Sequence, residues 1–431
     1  MAKQMKHLKT SLETTDDGNE DIKQQPQIYA KDSFDGFGDD LCGLIVSYLS
    51  FEDRFRLECV SKQFQRTVFG SVVNLTIDHL FFSHYKAVNS AKSQMLATIA
   101  IKCSNIESID CYAMQDKHIP EVLAVFRDKC LQICGTLWRE FGLEFVQQFA
   151  PLMTRINSMD KQQIPSLIHC HRLSELSVDS LSDIFDTTSG QLLAKNLKTF
   201  SFHCYKTSDE GLMSAFVDQN QSLECLHVYM YSGSHETRQQ LCQQLSQLPH
   251  LRDLLLYLRV GNGDNSLAES LRTIGENCKQ LKQLSLMLSS VNKKLDSKTL
   301  DALPSYPRLR RLTLSHHFGH KFMKPLKRCK GLTHLTLYSM KLSDTLLANC
   351  DKQWPRLQYL RINCMAGNGF TFSSKSLGHI SRLSALQTLL LGYGVGIDLN
   401  DNALKDLLTG MSKLKRIEVN GVKVSIGLPS K

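Results

Sequence analysis

The residues of this sequence best suited to metal chemistry are three closely spaced histidines, His316, His317 and His320. Imidazole nitrogens at such short spacing could ligate a zinc ion. The same stretch has no acidic residue and five cationic ones: Lys321, Lys324, Lys327, Arg328 and Lys330. Because so much positive charge opposes the binding of another cation, we predict no metal site here. The segment is typical of a solvated basic turn and helix, with a site for an acidic or phosphorylated ligand as the alternative.

Motifs of catalysis are missing from the rest of the chain. The sequence has no G-x-x-x-x-G-K-[ST] phosphate loop, H-E-x-x-H zinc helix, G-x-S-x-G nucleophile turn or paired C-x-x-C cluster. The run from Gly392 to Gly396 is rich in glycine, but it lacks the rest of a nucleotide-binding fingerprint, so we interpret it as a flexible turn. We therefore predict no catalytic residue, no cofactor and a protein that is not an enzyme.

Most of the chain follows a repeated L-x-x-L-x-L pattern, which predicts a series of short strands. Ten clear copies start at Leu173, Leu197, Leu223, Leu251, Leu281, Leu309, Leu332, Leu357, Leu386 and Leu414. Their starts lie 23 to 30 residues apart, close to the spacing of leucine-rich repeats. Weaker copies start at Val72, Ile106 and Met153, and a degraded copy lies near residues 131–138.

The segments between these strands predict the rest of each repeat. Apolar residues recur there at helical spacing, as in Leu267, Leu271 and Ile274. A unit of strand, turn and helix buries its apolar side only against its neighbours. We therefore predict an α/β fold in which residues 71–431 form a curved leucine-rich-repeat solenoid of about 13–14 repeats with a parallel concave sheet. Alternating apolar residues around Asn420-Gly421 predict a terminal hairpin cap at about residues 414–427.

One position, three residues before each strand pattern, explains several of the 14 cysteines. It is occupied by Cys103, Ala150, Cys170, Ala194, Asn220, Leu248, Cys278, Tyr306, Cys329, Trp354, Leu383 and Met411. Cysteine alternates there with alanine, leucine and aromatic residues, so we predict a buried position, the core slot, where a thiol acts as a small apolar group. With no apolar leader at the N-terminus, we expect a reducing compartment, the cytoplasm and/or the nucleus.

The concave face of the predicted sheet is the candidate binding surface. Side chains alternate across a strand, so the residues between the aliphatic positions point to this face. Its middle strands supply the candidate substrate-binding residues His227, Tyr229, Tyr257, Met287, Arg311, His334, Tyr338, Tyr359 and Arg361. Tyrosine and arginine dominate binding energy at protein interfaces, which favours a protein substrate. The alternative is that these residues reflect ordinary repeat composition.

Residues 33–70 form the only non-repeating apolar segment, and their pattern predicts three short helices. The first helix follows Asp39 and Asp40, and Ser50 and Ser61 are predicted N-caps of the second and third. The apolar residues of the first helix occur at helical spacing: Leu41, Leu44, Ile45, Tyr48 and Leu49. A unit this small does not bury so much apolar surface by itself. We therefore expect it to meet a partner.

At these residues the sequence resembles the F-box, a module that binds the Skp adaptor of SCF-type cullin-RING ubiquitin ligases. The resemblance rests on residues in register with the family pattern: Phe37-Gly38, Leu44-Ile45, Tyr48-Leu49, Glu52-Asp53, Val60-Ser61 and Phe64. Gly38 replaces the usual proline, and Phe64 replaces the usual tryptophan. The repeats behind it resemble the cysteine-containing leucine-rich repeats that follow F-boxes in this family.

The resemblance implies a substrate receptor that binds the Skp adaptor, and through it the cullin-RING ligase. The residues implied in adaptor binding are Phe37, Leu41, Leu44, Ile45, Tyr48, Leu49, Phe55, Val60 and Phe64. A non-ligase interaction scaffold or inhibitor built on the same repeats is the alternative. Replacement of the proline and the tryptophan implies that adaptor binding could be weaker than in a typical F-box.

Charge and hydropathy bound the remaining possibilities. The formal net charge is +9, and residues 71–431 carry 42 basic against 30 acidic residues. This field favours an acidic or phosphorylated protein partner without indicating nucleic acid. No apolar run reaches the length of a membrane span, so no membrane association is expected. Residues 1–32 are polar enough to predict a disordered tail.

Overall fold

The computed structural model describes residues 39–77, 81, 89–111, 119–126, 132–135, 147–156, 161–204, 210–260, 266–290, 298–315, 324–339, 347–364, 370–372, 374–392, 395–397, 407 and 411–424. The chain divides into two compact units. The first comprises Met1–Val72 with Lys102–Asn105, and the second comprises Val73–Ile101 with Ile106–Lys431. No helix within the described ranges is both long and apolar enough to cross a bilayer. The predicted tail lies outside these ranges.

The first unit contains three short helices, α1 (Asp39–Ser47), α2 (Phe51–Leu57) and α3 (Lys62–Gly70). The two predicted serine caps are confirmed. The Asp53 N–H donates to Ser50 Oγ at 3.1 Å, and the Phe64 N–H donates to Ser61 Oγ at 3.0 Å. Each cap pairs an amide that has no partner within its own helix, which fixes where the helix begins.

Two cationic side chains connect the parts of this unit. The Arg54 guanidinium on α2 donates to the Val68 carbonyl at 3.2 Å and to Ser71 Oγ at 2.9 Å. Lys102 Nζ donates to Glu58 Oε1 at 2.6 Å and lies 5.0 Å from the centroid of the Phe69 ring. These contacts hold α2, which has no buried residue of its own, against α3.

The second unit is built on one long sheet. Its strands are β1 (Asn74–Thr76), β2 (Ser108–Asp110), β3 (Gln132–Gly135), β4 (Met153–Ile156), β5 (Glu175–Val178), β6 (Thr199–Cys204), β7 (Cys225–Met230), β8 (Asp253–Val260), β9 (Gln283–Ser290), β10 (Arg311–Ser315), β11 (His334–Ser339), β12 (Tyr359–Cys364), β14 (Thr388–Leu391), β16 (Arg416–Val419) and β17 (Val422–Val424). Within the described residues these 15 strands are hydrogen-bonded in chain order. All neighbours are parallel except β16 and β17. The fold class is therefore the predicted α/β repeat solenoid.

Among the clear copies of the pattern, the strand register is the same from one repeat to the next. Leu284, Leu312 and Leu335 are partners in β9, β10 and β11, and each is buried. Burial alternates along β6, β7 and β8, so one face of the sheet is covered and the other remains half-exposed. The degraded repeat, whose frame the sequence left open, contains β3.

Helical segments connect the strands on the covered side. The α-helices are Asn89–Lys102, Ile119–Phe126, Glu210–Gln219, His235–Leu245, Ser266–Asn277, Cys350–Gln353 and Ser374–Ile380. The 3₁₀ segments are Ala150–Leu152, Lys161–His169, Leu181–Ile184, Thr299–Ser305 and Pro325–Arg328. Proline occurs within or at the start of several 3₁₀ segments, as at Pro165, Pro304 and Pro325. Because proline lacks the N–H that an α-helix interior needs, it favours 3₁₀ segments over α-helices at these positions.

The core slot is confirmed as an interior position. Of its twelve residues, only Cys329 is half-buried, and the others are at most 6% exposed. Asn220 is the polar exception, and its amide is satisfied by the backbone. Its Oδ1 accepts from the Leu197 N–H at 2.9 Å, and its Nδ2 donates to the Phe216 carbonyl at 3.0 Å. Burial raises the pKa of the Cys278 thiol to about 12, which keeps it an uncharged packing group.

The last two strands form an antiparallel hairpin. Val419 of β16 pairs with Val422 of β17, and the turn between them is Asn420-Gly421. Both turn residues have positive φ, 52° and 81°, as a type I′ turn requires. The hairpin falls within the range expected from the sequence.

The structure of the glycine-rich run after β14 differs from the turn that the sequence predicts. The sequence favoured a flexible turn at residues 392–396, but β15 (Val395–Ile397) lies there and pairs in parallel with β13 (Phe370–Phe372). This separate two-stranded sheet joins segments that follow neighbouring main strands. Gly392 has a local reason to be glycine, because a Cβ at this position would collide with the Asn363 side chain.

Candidate functional site

The first candidate site is a group of exposed apolar side chains on the first unit. It consists of five side chains with these exposed fractions: Leu41 44%, Leu44 55%, Tyr48 82%, Leu57 36% and Val60 48%. We call these five side chains together the apolar surface. Among the described residues, nine large hydrophobic side chains are exposed, and these five fall within 20 consecutive positions. Such a concentration of exposed apolar side chains is typical of an interaction site.

The apolar surface arises from the way α1 buries its other side. Cys42 and Val46, four residues apart, are fully buried, so they form the stripe that faces the interior. Leu41, Leu44 and Tyr48 consequently point outward. The sequence grouped Leu41, Leu44, Ile45, Tyr48 and Leu49 as one apolar face. In the structure Ile45 and Leu49 are half-buried at its border.

The aromatic residues proposed for adaptor binding have different positions. Phe64 is only 3% exposed, so it is corrected from a surface residue to a core residue of the unit. Phe55 is half-buried, with its ring centroid 5.3 Å from that of Phe51 and 4.7 Å from that of Phe69. Its ring therefore contributes mainly to internal packing. Phe37 lies outside the described residues.

The second candidate site is the half-exposed side of the sheet, opposite the covered core. We call it the open face. Register places the predicted substrate-binding residues side by side: Tyr229 with Tyr257, Tyr257 with Met287, Arg311 with His334, and His334 with Tyr359. All nine of these residues lie on the open face of β7 to β12. Arg311 is exposed, and the other eight are half-buried.

Ring contacts organise one end of this patch. The His203 ring stacks on Tyr229 with centroids 4.7 Å apart and lies 5.7 Å from Tyr231. Tyr231 in turn lies 4.9 Å from Tyr257. The sequence-based set omitted His203 and Tyr231. Tyr231 could have been found by extending the two-residue period beyond the leucine pattern, because it lies one such step after Tyr229.

A second group of rings lies on β11 and β12. His334 and Tyr359 stack with centroids 5.5 Å apart, and Arg361 Cζ lies 5.6 Å from the centroid of Tyr338. Burial, assisted by the charge of Arg311, lowers the pKa of His334. His334 is therefore a neutral aromatic group near pH 7. Arg311 is the register partner of His334, and its Nη1 lies 3.4 Å from Gln283 Oε1, so its charge lies beside this second group of rings.

The open face also brings together three groups that the sequence analysis did not combine. The Cys225 thiol, the His227 imidazole and the Asp253 carboxylate lie with one ligand atom each within 4.8 Å of one another. Cys225 Sγ is 3.5 Å from His227 Nε2. The signal was present in the sequence as a C-x-H pair followed by aspartate at the equivalent position of the next repeat. The sequence analysis considered metal ligands only within one short stretch, whereas this cluster combines ligands from two consecutive repeats.

The electrostatics of this cluster follow from its burial. Burial, together with the charges of Asp253 and Glu175, raises the pKa of Cys225 to about 12. Burial lowers the pKa of His227, against the opposing effect of Asp253. Burial also raises the pKa of Asp253, against His227 and Arg311. Asp253 Oδ1 is buried and has no hydrogen-bond partner among the described residues. The histidines considered first, His316, His317 and His320, lie outside those residues.

Comparison with known proteins identifies a family model that matches part of the first unit. Residues 35–73 match the family model of the F-box domain. A search of curated proteins gave no match. Among solved structures, the yeast complex of Rad7 and Elc1 is similar at 14% identity and a TM-score of 0.43, covering 89% of this chain and 87% of that one. The TLR13–ssRNA13 complex is similar at 12% identity and a TM-score of 0.32, covering 83% of this chain and 62% of that one. This chain therefore spans less than two thirds of the TLR13 chain.

Proposed function

We propose that this chain, which carries an F-box domain at residues 35–73 and an α/β repeat solenoid after it, is a substrate-recognition subunit of an SCF-type ubiquitin ligase. The F-box binds the Skp adaptor, which connects to the cullin-RING ligase, and the open face binds a protein substrate. The observation that carries this proposal is the apolar surface, because an F-box with exposed aliphatic residues has what adaptor docking requires.

The energetics of the apolar surface support docking. Burying a leucine-sized side chain contributes about 1.5–3 kcal/mol relative to leaving it exposed. Leu44 and Tyr48 are each more than half exposed, so most of that gain is available to a partner. The interior of the unit is already filled by residues such as Val46 and Phe64. The surface therefore has an external role.

The open face supports capture of a protein. Its stacked rings and two arginines are the side chains that contribute most at protein interfaces, and a standard interface needs only about 800 Å² per partner. The excess of basic residues after residue 70 favours a substrate with acidic or phosphorylated segments. The mechanism is proximity, because rigid repeats hold the substrate near the ligase and no bond is made or broken on this chain. This role places the protein in the cytoplasm and/or the nucleus.

Co-purification with a Skp adaptor tests the adaptor part. The variant Leu44→Asp with Tyr48→Asp introduces charge into the apolar surface, and we expect adaptor recovery to fall at least tenfold. The matched control is Ile168→Asp, which changes a side chain of similar exposure, 51%, in the repeat unit. It should recover adaptor at the wild-type level. Absence of adaptor with the wild type, or equal recovery with all three proteins, would support the scaffold alternative.

A further inference from the structure

The cluster of Cys225, His227 and Asp253 is suited to a ligand that the proposed function does not need. We propose that these three side chains form a binding site for a divalent transition-metal ion, with Zn²⁺ as the ion that fits best. The proposal concerns the open face and is independent of adaptor binding. It departs from the sequence-based expectation of no metal site.

Strand geometry explains why the three groups converge. Cys225 and His227 are two residues apart on β7, so their side chains emerge on the same face. Asp253 begins β8 and is the register partner of Cys225. The site is therefore held by two adjacent strands in the middle of a continuous sheet. Such a rigid support keeps the ligand atoms close without help from a loop.

The distances suit tetrahedral coordination. With Zn–S near 2.3 Å and Zn–N near 2.0–2.1 Å, a tetrahedral angle places sulfur and nitrogen about 3.5 Å apart. Cys225 Sγ and His227 Nε2 are separated by 3.5 Å. All three ligand atoms lie within 4.8 Å of one another, so a bound ion would need to draw the Asp253 carboxylate to coordination distance. The fourth position would be taken by water or by a donor from a bound protein.

The chemistry of the donors selects the class of ion. Thiolate and imidazole favour borderline or soft metals, and a single carboxylate is a common third ligand of zinc. Ca²⁺ and Mg²⁺ prefer oxygen ligands throughout, so they fit poorly. The unpaired Oδ1 of Asp253 supplies an acceptor that nothing else in the described structure uses.

The charges around the site act in both directions. Asp253 and Glu175 are negative neighbours of Cys225, while Arg311 is a positive neighbour of Asp253. The charge of Glu175 is partly compensated by Arg155, whose Nε lies 2.5 Å from Glu175 Oε2. A bound cation would stabilise the thiolate that burial now disfavours, because metal binding releases the thiol proton. A thiol in this state without metal is a poor nucleophile, which separates the cluster from a catalytic triad.

Titration of the full-length chain with Co²⁺ tests the proposal. The protein is first treated with a chelator and kept reduced. We expect wild type to show a thiolate-to-cobalt charge-transfer band and the visible bands of tetrahedral cobalt, both removed by added Zn²⁺. Cys225→Ser should abolish the charge-transfer band, and Asp253→Asn should weaken Co²⁺ binding at least tenfold. Circular dichroism checks that each variant is folded.

The matched control is Cys329→Ser. Cys329 is also half-buried, and burial likewise raises its pKa to about 12, yet it belongs to no metal-ligating group of the described residues. This variant should bind Co²⁺ as wild type does, and added Zn²⁺ should raise its melting temperature. Absence of the band in wild type, its persistence in Cys225→Ser, or an unchanged Co²⁺ affinity of Asp253→Asn would overturn the proposal. If Cys225→Ser fails to fold, the isosteric Asp253→Asn decides alone.

Discussion

The apolar surface of the F-box and the open face of the sheet are both suited to binding proteins, but they achieve this differently. The apolar surface exposes aliphatic side chains that make few contacts within the free chain, and Leu44 is 55% exposed. On the open face, rings such as His203 and Tyr229 are half-buried and already stacked on each other. The side chains of the apolar surface gain their packing contacts only when a partner covers them. The rings of the open face already make such contacts in the free chain.

This difference indicates how each surface is used. Exposed aliphatic area is a liability in a free protein, so it suits a partner that is bound most of the time. Prestacked rings lose little side-chain freedom on binding, which preserves affinity for a partner that comes and goes. A constitutive adaptor on the first surface and an exchanged substrate on the second fit this contrast.

The largest expected effect is on substrate capture. Replacing Tyr257, Tyr338 and Tyr359 together with alanine removes one ring from the first group of rings on the open face and two from the second. Central tyrosines at interfaces each contribute about 2 kcal/mol or more, so loss of three should weaken capture by at least about a thousandfold. Proximity labelling in cells, scored on the proteins that wild type and an F-box-deleted chain both enrich over a labelling-only control, measures the loss of capture.

The triple variant also tests whether the two surfaces are separate. Adaptor recovery should remain at the wild-type level, while the Leu44→Asp, Tyr48→Asp variant should lose adaptor and keep its proximity to substrate. If the tyrosine variant loses both partners, the contrast between the surfaces is wrong. Unchanged labelling would remove these tyrosines from the substrate site.

A smaller effect is expected from a residue behind the sheet. Asn220 is fully buried, and Asn220→Ala leaves the Leu197 N–H and the Phe216 carbonyl without their side-chain partner. Unpaired buried backbone groups cost roughly 1–3 kcal/mol each, so we expect a loss of about 2–4 kcal/mol in the free energy of unfolding. Urea unfolding of the full chain measures the shift.

Cys278→Ala provides the comparison for that measurement. Cys278 occupies the core slot of a later repeat and is equally buried, but its thiol makes one weak hydrogen bond, to the Leu245 carbonyl at 3.4 Å, where Asn220 makes strong amide bonds. Its loss should shift the urea midpoint by less than half as much. Equal shifts would show that the amide of Asn220 contributes no more than its volume. Adaptor binding should be unaffected by either variant, which separates damage to the sheet from damage to the apolar surface.

Much of the fold could be predicted because it depends on local periodicity. The spacing of Leu281, Leu284 and Leu286 predicts which side chains are buried before and within β9. The other clear copies repeat this burial, except that Val419 in the last copy is half-buried. The core slot followed from the same frame. The serine caps of α2 and α3 were also predictable, since the capping hydrogen bond spans only three residues.

The features that could not be predicted depend on distance or on which face a helix buries. Phe64 and Leu44 belong to equally apolar patterns, and only packing decided that Phe64 is internal. The pairing of β13 with β15 joins segments from different repeats. Asp253 approaches Cys225 through strand register, across 28 positions of sequence. Periodicity predicts burial, but contacts between repeats require the register itself.

The smallest expected effect isolates the role of charge on the open face. Arg361→Met keeps the length of the side chain and removes the cation beside the Tyr338 ring. A cation–π contact of this kind contributes about 0.5–1 kcal/mol, so substrate binding should weaken several-fold. Binding should also depend less on salt, because one screened attraction to an acidic partner is gone. Arg361→Lys keeps the charge but not the planar group, so it should retain the salt dependence and lose part of the affinity.

The measurement is the affinity of the purified chain for an identified substrate at low and at high salt. Adaptor binding is measured under the same conditions as a control, and we expect it to vary little with salt. If Arg361→Met leaves both affinity and salt dependence unchanged, the charge of Arg361 takes no part in substrate binding.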